Sequence, residues 1–337
     1  MRAFLLTGPR AFEVVDVEPP AAAPGLVVVD VELAGVCGTD VEFFTGEMTY
    51  LHTGQASYPM RLGHEWCGRV SSVGAGVDPR WIGRRTTGDT MLGCGSCARC
   101  AAGRHHVCAD RYEIGVRNGW AGALAEQIAV PVTALHEIPE DLDSIAGAMV
   151  EPGGSALRAV HSAHLAPGDR LLVLGPGTIG LLAASFARAA GIEVHLLGIE
   201  ARSLEFARAL GFPGVWRSED LPDLAWDAVI DTSTASELPS RALELVEPGK
   251  RVVFLGIAGV PSTIDARAFV FKDVTAIGIL GASAGLDGTI AQYSSGAVDP
   301  RPLVAGTVGL GRVGDVLGGW RPADSGPGPK ILADPSQ

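Results

Sequence analysis

Arg170-Leu171-Leu172-Val173-Leu174-Gly175-Pro176-Gly177-Thr178-Ile179-Gly180 is a short apolar run that ends in G-x-G-x-x-G. The run predicts a buried strand, and the glycines open a helix that extends to about Gly191. On its own the glycine pattern is a weak signal. After a strand and before a helix it permits a tight turn and lets a pyrophosphate approach the helix N-terminus, so Gly175, Gly177, Thr178, Ile179 and Gly180 are expected to bind a dinucleotide.

C-terminal to this turn, a strand at Ile192–Leu197 and a helix from Arg202 to Leu210 follow. Further strands are expected at Gly214–Trp216, Trp226–Asp231, Arg251–Gly256 and Val274–Gly278. Alternation of strand and helix predicts a parallel, doubly wound α/β sheet.

N-terminal to it the pattern changes. Residues 1–36 alternate apolar and polar between Pro/Gly breaks, with Val27–Leu33 the clearest strand, and predict an irregular β domain. The segment Phe43–Gln55 follows neither period and reads as a loop, whose Glu47, Tyr50, His52 and Gln55 are candidates for a polar substrate wall. After about Leu286 the chain returns to irregular patterning, and its last apolar stretch, Gly328–Ala333, is expected to rejoin the first domain. The expected organisation is a catalytic domain, 1–152 plus 287–337, with a cofactor domain, 153–286, inserted into it.

Two groups of residues carry metal chemistry. Cys37-Gly38-Thr39-Asp40, Gly63-His64-Glu65-Trp66-Cys67-Gly68 and Glu151-Pro152 offer a thiolate, an imidazole and carboxylates from separate segments. That donor mix suits a catalytic Zn²⁺ with an open position. Cys94, Cys97, Cys100 and Cys108 crowd into one short stretch and can close on a second, structural Zn²⁺. A bacterial ferredoxin cluster would need a shorter final gap and a proline after it, where this chain has Ala109. Two zinc ions per subunit are therefore expected. Cys67 reads as a small buried hydrophobe.

Bulk properties narrow the function. With 337 residues the chain is long enough for two domains. A formal charge of −12 opposes binding to a phosphate backbone, so no nucleic-acid partner is expected. No apolar run reaches the length of a membrane span, and the start lacks a signal-like apolar region. A cytoplasmic protein without a membrane partner is expected.

Taken together, these motifs and their order resemble the zinc-containing medium-chain dehydrogenase/reductase family, the alcohol and polyol dehydrogenases, along essentially the whole chain. The resemblance implies a GroES-like β catalytic domain and a Rossmann cofactor domain. It makes Cys37 and His64 zinc ligands, Glu151 the third ligand or its near neighbour, and Glu65 a carboxylate able to enter or leave the coordination shell. It implies that Asp40 orients His64 and that Thr39 passes on the substrate proton. The histidine that often ends the proton relay is replaced by Glu42, so Glu42 or His52 takes that role. The acidic residue that would bind the adenosine ribose falls on Gly198, with Glu200 and Arg202 close behind, which leaves NAD and NADP both open. The implied reaction is hydride transfer between NAD(P) and a secondary alcohol of a polyol, sugar or aminocyclitol, with simple or amino alcohols as alternatives, in a homodimer or homotetramer. The zinc-free quinone reductases of the wider superfamily generally lack these cysteines. A non-catalytic zinc- and nucleotide-binding relative is the rival from outside the enzymes.

Overall fold

A computed structural model describes residues 1–337. The chain divides into two compact units: Met1–Glu151 with Asp299–Gly326 and Lys330–Gln337, and Pro152–Val298 with Pro327–Pro329.

The first unit is built on a seven-stranded sheet. Its path runs Val304–Gly309, Lys330–Asp334, Leu26–Gly35, Glu65–Val73, Arg85–Gly88, Leu135–Glu137, and Gln127–Pro131 also pairs with Leu26–Gly35. Val27, Val29, Val31, Trp66 and Val70 from the two central strands are buried together with Phe4, Phe43, Leu62 and Ile128. Pairing of Leu26–Gly35 with Glu65–Val73 is antiparallel and sets Gly35 opposite Glu65. A Cβ on Gly35 would meet the Glu65 carboxylate, so glycine leaves the room that this side chain occupies. The last strand, Lys330–Asp334, pairs with Leu26–Gly35 and brings the C-terminal residues onto the same sheet.

The second unit has six strands, all parallel, in the order Gly214–Trp216, Glu193–Leu197, Arg170–Leu174, Trp226–Asp231, Val246–Phe254, Thr275–Gly278. Leu171 to Leu174 are wholly buried, as expected of a strand covered by helices on both faces. Strand order reverses beside Arg170–Leu174, where a doubly wound sheet opens its ligand crevice.

Three expectations need correction. The stretch expected to be a loop contains the end of a helix, Gly38–Thr45, followed by the single turn Thr49–His52. Phe43 and Phe44 drive this by packing into the core, and Gly46 ends the helix in a left-handed conformation (φ 85°). The strand expected at Arg251–Gly256 begins earlier and ends at Phe254. The return to the first unit comes at Asp299 rather than 287, because Leu286–Ser294 is a helix belonging to the second unit. Tyr293 of that helix stacks on Phe186 at 5.9 Å, and its residues fill the space beside Gly153. No helix is long and apolar enough to cross a membrane.

Candidate metal centre and cofactor cleft

Cys37 lies where the strand Leu26–Gly35 gives way to the helix Gly38–Thr45; Glu65 opens the neighbouring strand, and His64 immediately precedes it. Strand pairing therefore draws together donors that are far apart in sequence. Cys37 Sγ, a His64 ring nitrogen and a Glu65 carboxylate oxygen all lie within 4.8 Å of one another. His64 and Glu65 are buried and Cys37 is partly exposed, so the cluster has one accessible side.

Asp40 acts on two of these donors. Its Oδ2 accepts a hydrogen bond from the Cys37 backbone N–H at 2.9 Å, capping the helix, and its Oδ1 lies 3.6 Å from His64 Nδ1. Asp40 is wholly buried, and both Oδ1 and Nδ1 lack a closer partner. A ring whose Nδ1 faces a carboxylate turns its Nε2 edge the other way, an arrangement that metal-bound imidazoles commonly have. Burial opposes a charge on His64, but Asp40 and Cys37 outweigh it and raise its pKa well above the ordinary value.

Lys330 is the residue that sequence reasoning missed. Its buried Nζ donates to the Glu65 carboxylate and, at 3.0 Å, to the Val36 carbonyl. Burial works against the ammonium, yet Glu65, Cys37 and Asp40 together raise its pKa. A signal was present: a lysine heads the otherwise apolar run Lys330-Ile331-Leu332-Ala333 and needs a buried acid as partner. Glu151 sits in the first turn of Val150–Ala163, outside the tight group of three. Burial pushes its carboxyl up to about 7, with His64 drawing it down and Glu65 and Asp89 adding to the rise.

Four of the five remaining thiols meet in one lobe. All four sulfurs lie within 4.8 Å of one another, with Cys94–Cys100 at 4.0 Å and Cys97–Cys108 at 3.8 Å. A tetrahedral Zn²⁺ with sulfurs at about 2.3 Å has edges of about 3.8 Å, so the lobe is already the right size for the ion. Cys67 lies elsewhere, its thiol pushed up to about 12 chiefly by burial, against Gly147 where a Cβ would collide with its sulfur.

In the second unit the three glycines of the turn do three different things. Gly175 takes φ +94°, Gly177 has open space where a Cβ would stand, and a Cβ on Gly180 would strike the Gly175 carbonyl. Tight turn, open approach and close helix packing are the features that admit a pyrophosphate. Gly175 and Gly177 line a cavity of about 980 Å³, while Thr178 and Ile179 begin the helix Thr178–Ala189 that follows and are not part of that lining. Gly198, Glu200 and Ser203 line the same cavity, whereas Arg202 is exposed on the helix Ala201–Ala209. A Cβ on Gly198 would stand 2.7 Å from Pro176, so this glycine is also a packing requirement of the turn.

The expected relay and wall residues are dispersed. Thr39 and Glu42 are three residues apart in one helix and so share a face. Burial, and then Glu47, raises the Glu42 pKa. The exposed His52 instead bonds through Nε2 to the Gly46 carbonyl at 3.0 Å. Glu47 accepts from Thr45, the Tyr50 hydroxyl is tied to Glu113 and Arg111, and Gln55 lines a cavity of the first unit.

Residues 23–140 match the alcohol dehydrogenase GroES-like domain, and residues 178–295 match the zinc-binding dehydrogenase domain. The L-threonine 3-dehydrogenase of Anaeromyxobacter dehalogenans is 32% identical over 277 residues, 79% of each chain. The chain belongs to the zinc-containing medium-chain dehydrogenase/reductase family. Two solved structures of similar shape carry nicotinamide cofactors. A zinc-binding dehydrogenase of Sinorhizobium meliloti bound to NADP is 29% identical with a TM-score of 0.88, and an Escherichia coli protein described as a short chain alcohol dehydrogenase, complexed with NADH, is 25% identical with a TM-score of 0.89; each aligns over 99% of both chains. The protein is thus a zinc-dependent, NAD(P)-dependent dehydrogenase of the alcohol dehydrogenase type, with a GroES-like domain and a Rossmann-like domain.

Proposed function

We propose that this dehydrogenase oxidises a secondary alcohol of a polyol, sugar or aminocyclitol at the centre formed by Cys37, His64 and Glu65, and passes the hydride to NAD. The convergence of these three donors, with one accessible side, is the observation that carries the reading. Cys37, His64 and either Glu65 or Glu151 would hold the catalytic ion, and the four-cysteine lobe a structural one. A bound Zn²⁺ supplies Lewis acidity, lowering the pKa of an alcohol as it lowers that of water.

The chain's own residues divide the rest of the work. Asp40 fixes the ring of His64 and the backbone of Cys37 in one stroke. Lys330 retains Glu65 beside the ligands by offering it a buried cation. Thr39 takes the substrate proton, and Glu42, on the same helix face and with a raised pKa, takes it onward. His52 is less suited to that step, because its ring is engaged with Gly46. Among the cofactors, NAD is favoured: Glu200 lines the cavity where a 2′-phosphate would meet a negative charge.

The assembly we propose is a homodimer or homotetramer in a reducing, cytoplasmic setting. Thr275–Gly278 is an edge strand, and Val270 and Phe271 beside it are 79% and 82% exposed. An open edge flanked by large apolar side chains favours a covering partner.

The substrate reading is tested by comparing kcat/KM for hexitols, cyclitols and amino alcohols against propanol, butanol and benzyl alcohol. Higher efficiency with the simple alcohols would overturn it.

A further inference from the structure

A second cavity, of about 490 Å³, lies in the first unit and is lined by Gln55, Ser57, Arg61, Arg117, Asn118 and Trp120 among others. Its lining contains two arginines and no acidic residue. The Arg117 side chain is nine-tenths buried, and neither its Nε nor its Nη1 has a hydrogen-bond partner; Arg61 Nε is likewise buried and unpartnered. The nearest carboxylate to Arg117, Glu113, stands 4.0 Å away and is already bonded to Arg111 at 2.7 Å and to the Tyr50 hydroxyl at 3.2 Å. Burying a guanidinium without a full counter-charge is costly unless something else completes it. In a chain of net charge −12, two guanidiniums, Arg111 and Arg117, share the single carboxylate of Glu113 and so leave a local positive excess.

This cavity is fastened to the metal centre. Arg61 precedes His64 by three residues, a separation that bounds their Cα distance at about 11 Å. The wall that follows Arg117 is bonded to the same segment, with Gly122 N–H on the Arg61 carbonyl at 2.8 Å, Ala123 on Gly63 at 2.8 Å and Leu124 on Leu62 at 3.0 Å. A group held here is therefore held at a fixed offset from His64.

We propose that the Arg61–Arg117 cavity binds an oxyanion, a carboxylate or phosphate group on a small molecule, with Gln55 and Asn118 as neutral hydrogen-bonding partners. The arginine forks suit planar carboxylates and phosphates. The group belongs either to the substrate, whose hydroxyl then sits at the metal centre, or to a separate effector. The first source rests on the function proposed above; the oxyanion site itself does not.

The experiment is calorimetric titration of the zinc-loaded enzyme with inorganic phosphate, in the presence of saturating NADH so that the pyrophosphate site is filled. Phosphate is expected to bind the wild type at one site per chain, and Arg117→Gln and Arg61→Gln are each expected to weaken it at least tenfold while zinc content and melting temperature hold. Should Arg117→Gln fold poorly, Arg61→Gln carries the comparison. No binding to wild type, or equal binding to wild type and a folded variant, overturns the proposal. Kinetics separate the sources. If the group is on the substrate, a hexonate or hexitol phosphate outperforms the parent hexitol and Arg117→Gln abolishes that advantage. If it is an effector, phosphate alters turnover of a neutral alcohol without competing with it. Absence of turnover on every alcohol would count against the proposed function alone, since the binding measurement requires none.

Discussion

Lys330 and Glu65, 265 residues apart in sequence, form a buried ion pair beside Cys37 and His64 at the candidate metal centre, with side chains 3% and 1% exposed. The last strand of the chain thus completes a site begun by the second central strand of the same sheet. Lys330→Met should leave the Glu65 carboxylate buried without its cation, a change that typically costs about 3–5 kcal/mol. The double variant Glu65→Gln/Lys330→Met should recover a large part of that loss in denaturant unfolding. Additive effects of the two single changes would show that the residues do not act as a pair.

Thr39→Val should lower kcat by about 10²-fold or more while leaving the zinc content unchanged, as expected when a proton-transfer group is lost. Thr39→Ser, which keeps the hydroxyl, should restore a large part of the rate. A valine variant with wild-type kcat would remove Thr39 from the relay.

Cofactor preference should follow Glu200. The wild type is expected to favour NAD in kcat/KM, and Glu200→Ser should narrow the gap to NADP by at least tenfold. Gly198→Asp, the substitution the sequence alone suggests, is a poor test, because its Cβ would press on Pro176 and disturb the turn. A ratio that does not move in Glu200→Ser would place the discriminating contact elsewhere.

Glu151 gives a pH signature in enzyme freed of its catalytic zinc with the cysteine lobe still loaded. Its carboxyl is raised to about 7 by burial, so between the ordinary carboxylate range and about 7 the folded state holds a proton that the unfolded state has lost. Stability should therefore fall as pH rises through that window. Glu151→Gln should flatten the dependence. An unchanged slope would mean that Glu151 does not titrate there.

The parts of the fold that are legible in the sequence rest on local signals. The turn Gly175–Gly180 declares itself because strand, glycines and helix are contiguous, and the cysteine lobe because its four sulfurs lie within one short segment. The helix Leu286–Ser294 was hidden by its glycine and polar residues, and it owes its place to Tyr293 packing on Phe186. The end of the helix Gly38–Thr45 reads as loop in the sequence because Phe43 and Phe44 match no simple period; tertiary burial decides it. For Lys330 the sequence carries only half of the signal: a lysine heading an apolar run calls for a buried acid, but the strand pairing that makes Glu65 the partner is a property of the whole sheet.

The most direct measurement is elemental analysis alongside activity, for the wild type, Cys37→Ser and Cys100→Ser. The account predicts two zinc ions per chain in active wild type and one in Cys37→Ser, which should keep its fold and lose hydride transfer. Cys100→Ser should lose the lobe's ion and most of its folded structure, because a closed thiolate site contributes folding free energy. A single zinc ion in fully active wild type, or undiminished activity in Cys37→Ser, would contradict it.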